Sequence, residues 1–73
     1  MAMDESLIME EQRLRKQIET IEACQMAVFE VIRQYEDSTF KLMQEEIVLA
    51  IHAIGMDLQT ELLHVRFTQA RQH

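Results

Sequence analysis

Glu61 and His64 stand three residues apart, the E-x-x-H spacing that sets two metal ligands on one helix face. If the chain folds back on itself near residues 37–38, Glu11 lies at the same height. A dimer would then present two glutamates and two E-x-x-H pairs, the donor set of a di-iron helical bundle. A single E-x-x-H is common by chance. The expectation is that Glu11, Glu61 and His64 are polar residues flanking a packed stripe, and that no metal or cofactor is held.

Cys24 and His52 fall at similar heights in the same hairpin, and a thiol beside an imidazole is a nucleophile with its base. Catalysis also needs an orienting third group, oxyanion donors and a concave pocket. Two long helices with a short connection do not readily build these. The chain is therefore read as a non-enzyme, with Cys24 as a small packed hydrophobe.

The elements that carry these residues follow from composition and periodicity. The chain has 73 residues, of which 48% are hydrophobic and 27% charged, with one Gly, one Cys and no Pro. No Asn occurs either, so the tight turns of a β-sandwich or barrel lack their usual residues. Thirteen acidic against seven basic side chains give a net charge of −6. That balance disfavours nucleic acid and anionic membrane surfaces as partners. No apolar run is long enough to span a bilayer. The segment Met1-Ala2-Met3-Asp4-Glu5 is acidic where a secretory signal is basic, so a cytoplasmic location is expected.

One all-α domain over residues 1–73 is predicted, with residues 1–5 frayed and Ser6 as the N-cap of a first helix over residues 6–36. Its stripe is Leu7, Leu14, Ile18, Ile21, Val28, Ile32 and Tyr35, interrupted at Glu11 and Gln25. Glu11 precedes Arg15 by four residues, the favourable order for a helical ion pair. Glu36-Asp37-Ser38-Thr39 is the best break, and a second helix is predicted over residues 39–70, starting at Ser38 or Thr39. The two form an antiparallel helical hairpin. Its rivals are one continuous helix and a three-helix variant broken at Gly55, with Asp57 capping the third helix.

The main stripe of the second helix reads Phe40, Met43, Ile47, Ile51, Ile54, Leu58, Leu62 and Val65. A second apolar stripe runs roughly opposite: Leu42, Leu49, Ala53, Met56, Leu63 and Phe67. Two arcs imply burial on two sides, and the first helix covers only one. Leaving four large side chains in water would forgo about 1.5–3 kcal/mol each. Association into a four-helix bundle, most simply as a homodimer, is the expected resolution, with the second stripe as interface. Met26, Met43 and Met56 are read as gap-fillers in a core or oligomer interface.

These features point to a small homo-oligomeric protein that acts by binding a partner protein, as adaptor, small chaperone or regulator. An alternative is an acidic antagonist that mimics nucleic acid and occupies a basic site through Glu36, Asp37, Glu45 and Glu46. A further alternative, against the charge balance, is a dimeric nucleic-acid-binding regulator. No motif ties the chain to a known family.

Overall fold

A computed structural model describes residues 5–35 and 40–72. Helix α1 spans Glu5–Gln34 and helix α2 spans Lys41–Arg71. The two pack side by side along their length as an all-α helical hairpin measuring 58 × 15 × 12 Å. Neither helix is long and apolar enough to cross a membrane. Among the described residues there is no strand.

The helices form where good helix formers dominate and proline is absent. Local side-chain pairs support α1: Arg15 Nη2 donates to Glu11 Oε2 at 2.7 Å, Arg13 pairs with Glu10, and Arg33 lies 3.5 Å from Glu30. Residues that usually weaken a helix interior find local partners. The hydroxyls of Thr20, Thr60 and Thr68 donate to the carbonyls four residues earlier, at 2.9, 3.0 and 3.0 Å. At the end of α1 the Tyr35 N–H is shared between the Val31 and Ile32 carbonyls, both at 3.2 Å.

Several boundaries differ from the sequence reading. Ser6 is not an N-cap, because α1 already includes Glu5 and Ser6 sits in its first turn. Ser38 and Thr39, along with the rest of the expected break at 36–39, lie outside the described residues. Phe40 precedes α2 and makes no side-chain cap bond. A single continuous helix is overturned, since Gln69 reaches back to Leu7. The three-helix variant is overturned too: α2 runs unbroken through Gly55, whose φ is not positive, and Asp57 lies inside it.

The seam between the helices is a strict heptad alternation of threes and fours. On α1 it is formed by Leu7, Glu11, Leu14, Ile18, Ile21, Gln25, Val28 and Ile32, all buried or half-buried. On α2 it is formed by Gln44, Val48, Ile51, Gly55, Leu58, Leu62, Val65 and Gln69. Gly55 faces Ile21, and Gln69 reaches Leu7. The same register places Leu14 level with Leu62, and Ile18 level with Leu58. Leu14, Ile18, Leu62 and Val65 form the buried core, with Leu7 and Leu58 against it.

The first half of the expected α2 stripe is therefore wrong. Phe40, Met43, Ile47 and Ile54 are between 42% and 53% exposed, while Gln44, Val48 and Gly55 face α1. Packed helices hold a repeat of about 3.5 residues per turn. The apolar series beginning at Phe40 drifts across that line and meets it only at Ile51, Leu58, Leu62 and Val65. Tyr35, the last residue of the expected α1 stripe, is also exposed.

Candidate functional site: an open heptad seam on α2

The outward face of α2 carries a second heptad row. Leu42, Leu49, Met56, Leu63 and Ala70 recur every seven residues. Glu46, Ala53, Thr60 and Phe67 fill the intervening positions, also every seven. All nine are exposed, Leu42 at 77% and Leu63 at 69%. The row contains every expected interface residue: Leu42, Leu49, Ala53, Met56, Leu63 and Phe67. It faces largely away from α1, and only at its edge does Leu49 border a groove with Phe29 and Ile32, and Met56 one with Ile21. Arg71 lies over the Phe67 ring, 5.8 Å from its centroid, and shields one end. The corresponding outward positions of α1 include Lys16, Glu19, Glu30 and Arg33, all exposed. The hairpin thus has one satisfied seam and one open seam, and both belong to α2.

A second apolar surface lies on one flank near the turn. Val31, Tyr35, Phe40, Met43 and Ile47 line a groove between the helices there, with Val28 at its base. Gln44 sits in the seam beneath it and donates from Nε2 to the Tyr35 carbonyl at 3.3 Å. At the far end Gln69 does the same work, donating to the Leu7 carbonyl at 3.4 Å and to Glu11 Oε1 at 3.1 Å. The two glutamines tie the ends of the hairpin. Apolar periodicity could not have flagged them; only the heptad spacing from Gln44 to Gln69 marks their positions.

The expected polar candidates are not drawn together. Glu11 is a seam residue engaged with Arg15 and Gln69, and Arg66 Nε lies 3.9 Å away. The Arg15 and Gln69 hydrogen bonds, with the nearby guanidinium groups, hold its carboxyl below the ordinary value of 4.5. Glu61 lies on the other flank of α2, the side facing Arg13, and His64 lies further round on the outer surface. Among the described residues, no three His, Cys, Asp or Glu side chains group so as to hold a metal ion.

Cys24 and His52 lie level along the rod but on opposite flanks. His52 shares a shallow groove with Glu22 and Gln25, whereas Cys24 emerges on the other side. Cys24 is exposed, which corrects its reading as a packed hydrophobe. Met26, Met43 and Met56 are all exposed, so none fills the core of the hairpin. Of the acidic strip, Glu45 and Glu46 are exposed on α2, and Glu36 and Asp37 lie outside the described residues.

This geometry is that of a two-helix coiled-coil hairpin with one seam unpaired. No family model, no curated protein and no solved structure matches the chain.

Proposed function

We propose that this protein is a non-enzymatic helical module that self-associates through the outward face of α2 and acts by binding a partner protein. The observation that carries the reading is the open row from Leu42 to Ala70, exposed over the full length of α2. An apolar row of that length on a chain of this size is an interaction surface or an aggregation hazard. Pairing it with a second copy would bring four helices together, α1 and α2 of each copy. The groove around Val31, Phe40 and Ile47 lies on a different flank and shares only Met43 with the edge of that pairing. It supports the binding of a further protein, as an adaptor or regulator would require. A single exposed thiol at Cys24 fits a reducing compartment such as the cytoplasm.

The test is the solution mass of the chain and of Leu49→Glu by light scattering coupled to size exclusion. The wild-type chain is expected to run as an oligomer and Leu49→Glu as a helical monomer. A variant that keeps the wild-type mass would remove the outward row from the interface.

A further inference from the structure

We infer that the outward seam of α2 is covered by α2 of a second copy of this chain, running antiparallel, about a two-fold axis between Ala53 and Met56. This deepens the self-association reading above and rests on it.

The chain exposes 6113 Å². A folded monomer of 8.7 kDa is expected to expose about 4,700 Å², so roughly 1,400 Å² is in excess. A standard stable interface covers about 800 Å² on each partner. The excess belongs to the whole 58 × 15 × 12 Å rod, and the outward row contributes to it, with Leu42, Leu49 and Leu63 64–77% exposed. The outward surface of α1, with Lys16, Glu19, Glu30 and Arg33, does not offer an equivalent row. This places the α2 helices at the centre of the pair and the α1 helices outside.

The row complements itself when reversed. About the stated axis, Ala53 meets Met56 of the second copy, and Leu49 meets Thr60 of the second copy. These central layers set a small side chain against a large one, which lets the helices approach closely. At the ends Leu42 meets Phe67, and Glu46 meets Leu63, of the second copy. In a parallel, in-register pair Glu46 would instead face its own symmetry mate inside the seam.

Glu45, His52, Gln59 and Arg66 edge the row on one side. The antiparallel register sets Glu45 against Arg66 of the second copy, and His52 against Gln59 of the second copy. Symmetry makes the Glu45–Arg66 pair twice. On the other edge Met43 meets His64, and Ala50 meets Asp57, of the second copy, so no like charges oppose. The parallel pair would bring Arg66 beside Arg71 of the second copy, again twice. Edge charges of this kind set helix orientation. Arg66 is positioned for the role. It is 3.9 Å from Glu11 through Nε, and half of its side chain remains exposed.

The experiment uses the full chain. Sedimentation equilibrium gives the mass and the dissociation constant of the wild type, Glu45→Arg, Arg66→Glu and the double variant. Each single reversal should weaken the dimer by about tenfold or more, and the double variant should recover most of that loss. Circular dichroism confirms that each variant is still helical, and Glu45→Arg touches no ion pair among the described residues. Separately, Lys41→Cys in a Cys24→Ser background carries a spin label for distance measurement by electron resonance. The antiparallel pair separates the two labelled backbones by about 40 Å along the axis, at 1.5 Å per residue. A parallel pair would hold them about 10 Å apart. A wild-type chain that is monomeric at tens of micromolar overturns self-association itself, and with it this inference. A dimer with the short label distance, or without recovery in the double variant, overturns only the orientation and register.

Discussion

Gly55 is the one residue in α2 whose replacement should strengthen the hairpin. It lies inside the helix with an ordinary helical backbone, so it gains nothing from glycine's conformational freedom. A glycine at such a site is about 0.8–1.0 kcal/mol less favourable than alanine. A methyl group added there would meet only Ile21 Cγ2, at 3.6 Å, an ordinary van der Waals contact. The position is half-buried, so the methyl should add about half of the 0.8 kcal/mol gained on burying one carbon. Gly55→Ala is therefore expected to stabilise each chain by about 1–1.5 kcal/mol, a rise of roughly 4–12 °C in Tm for a domain of this size. Urea denaturation followed by circular dichroism measures it, at one fixed protomer concentration because association adds to apparent stability. Gly55→Leu serves as the counter-test. Its further carbons must press on Ile21 or turn into the groove that Gly55 lines with Gln25 and His52, and overpacking against Ile21 should cost about 1–3 kcal/mol. A lower urea midpoint for Gly55→Ala than for the wild type would refute the reasoning. It would mean that the seam closes more tightly at Ile21, or that the helix is broken at Gly55.

Leu14 is fully buried and level with Leu62; Leu14→Ala should cost about 2–5 kcal/mol in the same urea assay. Glu11 has a lowered folded pKa, so its contribution is present above the unfolded value of 4.5 and is lost as pH falls through the lower folded value. Glu11→Gln should therefore flatten the decline in stability below pH 4.5, as read from urea midpoints at a series of acid pH values. Cys24 is exposed, and Cys24→Ser should leave stability within about 0.5 kcal/mol of the wild type. A larger loss would restore Cys24 to a packed role.

Much of this was written in hydrophobic spacing. Leu14, Ile18, Leu62 and Val65 are apolar at heptad positions, and the hairpin, its core and its antiparallel sense follow from them. The outward row on α2 was equally legible, because Leu42, Leu49, Met56 and Leu63 keep strict intervals. What misled was the first half of α2. There Phe40, Met43, Ile47 and Ile54 offer a stronger apolar pattern than Gln44, Val48 and Gly55, which occupy the true seam. Gln44 and Gly55 contribute through a hydrogen bond to Tyr35 and a close approach to Ile21, neither of which hydropathy registers. Within one chain the polar candidates lie apart for a related reason. A shared height on two helices does not fix the side of the rod. Cys24 and His52 share a level but not a flank, and Glu11 turns toward Arg15 and Gln69, not toward Glu61 and His64.

The core sits at the end of the rod farthest from the turn, and this has a consequence for how the chain holds together. At the turn, the covalent connection acts as a tether. It keeps the helix ends at high effective concentration whether or not their side chains pack well, and closing a short loop there costs little entropy. Leu14 and Leu62 have no such help. Bringing them together closes about two thirds of the chain, and the entropic cost rises by about 0.6 kcal/mol with each doubling of loop length. Dense packing is concentrated where the tether is weakest, and apolar groups stay open where it is strongest. The hairpin is held by its backbone at one end and by its side chains at the other, which frees the tethered end to present Val31, Phe40 and Ile47 to something else.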